Sequence, residues 1–460
     1  MSATKREHRG ASPSSFVVNR KRDRPDSSPG SRQDAPAPQP DAKVPKLFPI
    51  FENRSAVDEE KPFKWLTPLG PTRSCLHGIH LAPTASSRVA AFDLDGTVIK
   101  SPFFEVGRTG SKGSSRSKRV IRKQANGLEW EWWRAVVPQR MKEAHDSGFS
   151  VALISNQNLQ SRELAEWKKK IPLITAAVPE LPFHILAATA KDGHRKPMPG
   201  MWLELEQIFA KDGITIDKSA SYYVGDAAGR ADDFASTDRK FALNVGVKFY
   251  TPEEYFLKIS PAPYTLPGFH VSSIKEPPQG SFVTAVLPPD SHAEMVVFVG
   301  LPCLGKSTFY SKHFAPAGYV HVNQDTLGSR PKCVKAAEQA LAAGKSCVVD
   351  NTNRDVQTRK YYLDMAKRLR IPARCFVFQG SAELAWHNNL YRAYARPASV
   401  VDREPLRAFL PYAALTSFAD AYEAPSVKEG FGEVREIPWK FEGSEEERRL
   451  WSMWLQLDRK

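Results

Sequence analysis

Two runs of residues in this chain have the types and spacing to handle phosphate. The first is Ala91-Phe92-Asp93-Leu94-Asp95-Gly96-Thr97-Val98, where two carboxylates stand two residues apart at the end of an apolar stretch. In an extended chain that offset turns both side chains to the same side. One carboxylate can then attack phosphorus while the other serves as acid and base, provided a metal ion and a lysine offset the charges that meet there. Such partners occur downstream in order. Ser155-Asn156 can hydrogen-bond phosphate oxygens, Lys196 in Arg195-Lys196-Pro197 can neutralise them, and Asp226 in Gly225-Asp226 can hold the metal.

The second run, Gly300-Leu301-Pro302-Cys303-Leu304-Gly305-Lys306-Ser307-Thr308, fits GxxxxGK[ST] without a gap, follows an apolar stretch and precedes a helix-compatible one. Its glycines let backbone N–H groups close around the phosphates of ATP, Lys306 reaches the β and γ oxygens, and the Ser307 hydroxyl can sit on Mg²⁺. Such a loop does not reveal the acceptor. Asp325, in Asn323-Gln324-Asp325-Thr326, is placed to take a proton from an acceptor hydroxyl, with a structural turn acid as the alternative. Asp350, at the end of the following apolar run, occupies the position that organises the metal. In His387-Asn388-Asn389-Leu390-Tyr391-Arg392, Arg392 is favoured over Arg396 as a lid arginine that clamps the transferred phosphoryl group; the alternative for either is a surface helix.

These residues need strands to position them. From Arg88 on, short β-branched or aromatic runs alternate with helix-like segments, the pattern of α/β units around a parallel sheet. Strands are expected at 89–92, 151–154 and 222–224, each ending in one of the polar motifs, which suits ligand binding at the carboxyl ends of strands. A second series is expected at 295–299, 319–322, 347–349 and 375–378, with an Ala-rich helix at 332–343 stopped by Gly344. The organisation expected is a polar tail at 1–46, an α/β domain at 47–260, a Pro-rich linker at 261–290 and a second α/β domain at 291–460.

Composition bounds the rest. The chain has 460 residues, enough for two or three domains, and 65 Lys+Arg against 51 Asp+Glu for a net charge of +14, which favours polyanionic partners. No apolar run approaches the ~20 residues of a membrane span. The five cysteines are odd in number without CxxC spacing, so neither a disulfide framework nor a zinc site is expected, and the N-terminus lacks the apolar core of a secretion signal. The tail carries basic clusters at Lys5-Arg6 and Arg20-Lys21-Arg22-Asp23-Arg24, suited to nuclear import or to tethering nucleic acid, or simply solvated. A basic Gly/Ser-rich segment at 108–123 is either a phosphate-contacting arm or an insertion. Trp130, Trp132 and Trp133 after it could stack bases, although packing is the commoner fate of such residues.

The Asp-Leu-Asp-Gly-Thr run, Ser155-Asn156, Lys196-Pro197 and Gly225-Asp226 resemble, in order, the four motifs of the haloacid dehalogenase superfamily of phosphatases. The resemblance implies Asp93 as nucleophile and metal ligand and Asp95 as acid/base, with the Asp95 backbone carbonyl also on the metal. It further implies Asp226 as a Mg²⁺ ligand and Ser155 and Lys196 on the phosphoryl group. A last acid is expected from Asp232 or Asp233. Tyr223-Val224-Gly225-Asp226-Ala227-Ala228-Gly229-Arg230, Phe241-Ala242-Leu243-Asn244, Asn323-Gln324-Asp325-Thr326-Leu327-Gly328 and Asp350-Asn351-Thr352-Asn353 further resemble the bifunctional polynucleotide kinase 3′-phosphatases of eukaryotic DNA repair, over residues 62–440. A phosphatase followed by a P-loop kinase is the order of that family.

The resemblance implies removal of 3′-phosphates and ATP-dependent phosphorylation of 5′-hydroxyls at DNA nicks, gaps and double-strand breaks, in the nucleus and as a monomer. Residues 1–60 are too short and polar for the N-terminal forkhead-associated domain that vertebrate members carry, so the tail is the expected route to other repair proteins, and the architecture suits a fungal member. Three rivals stand beside this reading: RNA ends, a small phosphorylated metabolite, and a binding scaffold with dead sites. The metabolite reading calls for a cap domain, for which the stretch between Thr97 and Ser155 is short and largely basic. The scaffold reading has to explain why Asp93, Asp95, Lys306 and Ser307 are all intact.

Overall fold

The computed structural model describes residues 62–100, 129–274, 286–288, 292–397, 400 and 409–456. The basic tail and the 108–123 segment lie outside them. The four-residue run Val-Ala-Ala-Phe forms β3 (Val89–Phe92), buried at every position, and alternation sends its side chains to both faces of a sheet: Ala90 and Phe92 to one core, Val89 and Ala91 to the other. Burial on both faces is what a central parallel strand requires.

The first sheet has seven strands in the order β1-β2-β5-β4-β3-β6-β7, namely β1 (Phe63–Trp65), β2 (Cys75–His80), β3, β4 (Ser150–Asn156), β5 (Phe183–Ala188), β6 (Tyr222–Val224) and β7 (Lys248–Tyr250). β5, β4, β3, β6 and β7 run parallel, while β1 and β2 add an antiparallel edge beyond β5. From β3 the chain winds outward through β4 to β5, then returns to the other side of β3 for β6. The crevice at that reversal lies at the carboxyl end of β3, where Asp93 stands.

The second sheet has five strands, all parallel, in the order β12-β11-β8-β10-β9. They are β8 (Met295–Val299), β9 (Val320–Val322), β10 (Cys347–Asp350), β11 (Ala373–Phe378) and β12 (Glu433–Ile437). Val296 and Phe298 face one core, Met295, Val297 and Val299 the other, and the helix Arg330–Ala342 packs close to its expected place. All five cysteines are free thiols. No helix among the described residues is long and apolar enough to cross a membrane.

The first half of the expected linker is docked. Thr265 N–H donates to the Gly229 carbonyl at 2.8 Å, His270 Nε2 lies 3.0 Å from the Ser452 carbonyl, and Phe269, Val271 and Ile274 pack on the core of the second sheet. All of these residues fall in one compact unit, Glu60–Lys460. Trp130, Trp132 and Trp133 are partly buried against the core of the first sheet, and Trp132 bridges to Ile99.

Candidate active sites

At the end of β3, Asp93 N–H donates to the Val224 carbonyl at 2.8 Å, tying the first carboxylate to β6. Lys196 reaches it from a loop 103 residues away. Its buried ammonium, with three protons to give, lies within hydrogen-bond distance of Asp93 Oδ1 at 2.6 Å, Asp238 Oδ1 at 2.7 Å, the Tyr223 hydroxyl at 2.7 Å and the Ile154 carbonyl at 3.0 Å. Burial works against the lysine's charge, but Asp238 and Asp93 outweigh it and hold Lys196 above the ordinary lysine range.

Asp93, Asp226 and Asp238 each offer a carboxylate oxygen, all within 4.8 Å of one another. Burial pushes Asp93 up, with Lys196 pulling the other way and Asp238 adding to the push. Burial likewise pushes Asp226 up, reinforced by the charges of Asp93 and Asp238. Three buried or half-buried carboxylates share one lysine, and the excess negative charge fits a hard divalent cation with oxygen ligands, such as Mg²⁺. Two glycines make the room: a Cβ on Gly96 would lie 2.2 Å from Asp226 Oδ2, and one on Gly225 would lie 2.6 Å from the Asp238 carboxylate.

The acid expected from Asp232 or Asp233 is supplied instead by Asp238, in the first turn of the helix Thr237–Val245. Asp233 has a structural place, accepting from Ala228 N, Arg230 N and the Arg230 guanidinium, while neither it nor Asp232 joins the carboxylate group. The Asp95 side chain also stands outside that group. Its Oδ2 accepts from Gln157 Nε2 at 2.8 Å, and the same nitrogen donates to Ser155 Oγ at 2.9 Å. Burial pushes the Asp95 carboxyl up against the pull of Gln157, Lys170 and Lys196, which suits a group that must carry a proton.

Asn156, expected on phosphate, holds the loop that carries the lysine. Its Nδ2 donates to the Lys196 carbonyl at 3.0 Å and its Oδ1 accepts from Lys196 N–H at 2.9 Å, so both ends of the amide grip the lysine's backbone. Gln157 and Asp238 escaped the sequence reading. Gln157 adjoins the Ser155-Asn156 motif and could have been included; nothing in the spacing marks Asp238.

In the second domain the run 300–308 wraps from β8 into the helix Lys306–Phe309, with Gly305 left-handed at φ +85° and Cys303 left-handed at φ +64°. Pro302, Leu304 and Thr308 complete the run. Lys306 Nζ donates to the Gly300 and Leu301 carbonyls at 3.0 and 2.6 Å, and burial pushes it down to about 8. Phosphate oxygens arriving there would offset that burial.

Ser307 Oγ donates to Asp350 Oδ2 at 2.6 Å, which joins the two expected metal-holding groups. His321 Nε2 donates to the same oxygen at 2.9 Å, stacked on Tyr310, and Asn323 Nδ2 donates to the Asp350 carbonyl at 2.8 Å. Burial works against the Asp350 charge, yet the His321 and Ser307 bonds hold it below the ordinary carboxylate range. A charged carboxylate beside the loop hydroxyl fits Mg²⁺. Asp325 is exposed in the helix Gln324–Leu327, its N–H donating to Asn323 Oδ1 at 2.8 Å. The charges of Asp325 and Arg392 both act on Lys306, whereas that of Arg396 acts on Tyr391.

Comparison with known proteins covers both halves. Residues 88–256 match the family described as polynucleotide kinase 3 phosphatase, and residues 330–415 match an AAA domain. A bifunctional polynucleotide phosphatase/kinase of Schizosaccharomyces pombe is 38% identical over 81% of this chain and 84% of its own length. A polynucleotide 3′-phosphatase of Arabidopsis thaliana is 30% identical over 39% of this chain and 25% of its own.

Proposed function

The chain belongs to the family of bifunctional polynucleotide phosphatase/kinases, and from that premise we propose that it removes 3′-phosphates from DNA ends and phosphorylates 5′-hydroxyls with ATP. The observation that carries this reading is the presence in one chain of two separate candidate phosphate-handling sites, each built at the carboxyl ends of parallel strands in its own sheet. One has the Asp93–Lys196–Asp238 network and the other the Ser307–Asp350 pair on a complete phosphate-binding loop.

At a 3′-phosphate, an Asp93 oxygen attacks phosphorus and the bond from phosphorus to the 3′ oxygen breaks. Asp95 gives its proton to the departing oxygen. Asp95 then takes a proton from water, whose oxygen attacks the aspartyl-phosphate and releases inorganic phosphate and the free Asp93 carboxylate. Lys196 balances the phosphoryl charge, and Gln157 aims Asp95. Asp93, Asp226, Asp238 and the Asp95 backbone carbonyl would hold a divalent cation such as Mg²⁺, which would supply electrostatic stabilisation of the phosphoryl oxygens.

In the second domain Asp325 takes the proton of a 5′-hydroxyl as its oxygen attacks the γ-phosphorus of ATP and ADP departs. Lys306 and Arg392 neutralise charge on the transferred group, while Ser307 and Asp350 would hold Mg²⁺. The 3′-hydroxyl and 5′-phosphate so produced are the ends that polymerases and ligases need, which points to strand-break repair in the nucleus. The basic excess of the chain suits a polyanionic substrate.

The test is a nicked DNA duplex bearing 3′-phosphate and 5′-hydroxyl, beside its RNA equivalent, with Mg²⁺ and labelled ATP. Asp93→Ala should abolish phosphate release and leave 5′ labelling; Lys306→Ala should do the reverse. No turnover on either polymer overturns the reading, and turnover on the RNA alone overturns the DNA assignment.

A further inference from the structure

Lys196 depends for its place on residues beyond its own domain. Asn156 grips its backbone from β4. On the other side Asn244, at the end of the helix that carries Asp238, donates from Nδ2 to the carbonyl of Pro197 at 2.7 Å. That amide is itself held by the second domain: Nδ2 donates to the Trp454 carbonyl at 3.0 Å, and Oδ1 accepts from Trp454 N–H at 2.7 Å. One turn earlier on the same helix, Lys240 donates to Gln456 Oε1 at 2.7 Å. Met198, two residues past the lysine, is fully buried in the apolar core of the second domain with Leu390, Met453 and Leu455.

The segment Met453–Gln456 thus lies as a strap from the second domain onto the loop that carries Lys196. Its other end is anchored at the kinase site. Trp451 Nε1 donates to Asn388 Oδ1 at 2.8 Å, and Asn388 Nδ2 donates to the carbonyl of Cys303 in the phosphate-binding loop at 3.0 Å.

We propose that Asn244 is a positioning residue for 3′-phosphate removal, and that it acts through the C-terminal strap Met453–Gln456, so that the phosphatase site is complete only when the kinase domain's last segment is docked. The physical basis is the site's geometry. Lys196 must bridge two carboxylates within hydrogen-bond distance, and its loop is fixed at Lys196 by Asn156, at Pro197 by Asn244 and at Met198 by the core of the second domain. Without the strap, Asn244 retains no partner on the Trp454 backbone, and its amide is free to leave the Pro197 carbonyl. Small displacements of a positioning group lower kcat steeply, on the order of a hundredfold for 1 Å.

The proposal rests on the phosphatase reading above. The full chain is compared with Asn244→Ala, with a chain ending at Met453 and with the two changes combined. The measurements are kcat and KM for a 3′-phosphorylated oligonucleotide, 5′-kinase rate and melting temperature. Asn244→Ala is expected to lower phosphatase kcat about tenfold with KM little changed and the kinase rate within about twofold. The shortened chain, which also loses Leu455 from the core that holds Met198 and Gln456 from Lys240, is expected to lose at least as much phosphatase kcat, and the combined variant to lose no more than the shortened chain alone, because Asn244 acts through that strap. Either variant retaining the unaltered phosphatase kcat overturns the proposal. So does additive loss, or a parallel fall of both activities together with the melting temperature. An unaltered chain without phosphatase activity overturns the reading of function instead.

Discussion

Gly96→Ala should separate the two activities by steric means alone. Gly96 sits at φ +94° between Asp95 and Thr97, and the Cβ of alanine would lie 2.2 Å from Asp226 Oδ2 and 2.7 Å from its Cγ. Restoring ordinary contact needs about 1 Å of movement by the Asp226 carboxylate, and misplacement of that size costs on the order of a hundredfold in rate, about 2.7 kcal/mol in the barrier. The left-handed backbone adds about 1–2 kcal/mol of strain in stability. Gly213→Ala separates the two effects. Its φ is +74°, but nothing lies within 4 Å of the added Cβ, so it should lose stability and keep activity. The assay is steady-state phosphate release from a 3′-phosphorylated oligonucleotide across a Mg²⁺ titration, with 5′-kinase rate as the internal measure of folding. Gly96→Ala should lose about a hundredfold in phosphatase kcat and need more Mg²⁺, with the kinase rate unchanged. A phosphatase rate within about threefold of the unaltered chain at saturating Mg²⁺, or an equal fall in kinase, would refute the reasoning.

Gln157→Leu removes the donor that aims Asp95 and should lower phosphatase kcat about tenfold or more, with a smaller loss on an aryl phosphate whose leaving group needs no proton. Equal losses on both substrates would count against Asp95 as the acid. The stacked pair His77 and His184, with ring nitrogens 3.2 Å apart, is pushed down to about 4 by burial at each ring. The folded protein therefore resists protonation that the unfolded chain accepts near pH 6.5, so this stability is whole above that pH and is lost as the pH falls toward 4. Each histidine should cost about 2 kcal/mol at pH 5, read from urea unfolding midpoints, and His184→Phe should flatten the dependence. Arg359, fully buried, donates to both Glu429 oxygens at 2.7 and 2.8 Å, and Arg359→Met should destabilise by about 3 kcal/mol because the half-buried carboxylate loses its charged partner.

The two motif runs were legible in the sequence because each is continuous. In Asp93 to Val98 and in Gly300 to Thr308 a strand, a turn and its chemical groups follow one another, so local rules of alternation and glycine conformation are enough to place them. The strands bearing those motifs were legible too, being short apolar runs bounded by polar residues. β5 was missed although Phe183–Ala188 is buried throughout, because no chemical motif marks its end.

What depended on folding is everything that the charges at the sites need. Asp238 is an ordinary helix residue by sequence and meets Lys196 only because the sheet winds outward from β3 and back, bringing the helix after β6 over the lysine's loop. Asn156 reads as a phosphate ligand, and its grip on the Lys196 backbone was not legible, since hydrogen-bond type alone does not say which partner lies within reach. The hold of Trp454 on Asn244 spans 210 residues. A sequence determines which groups can do chemistry; burial and long-range contact decide which of them stand close enough, and dry enough, to change one another's charge.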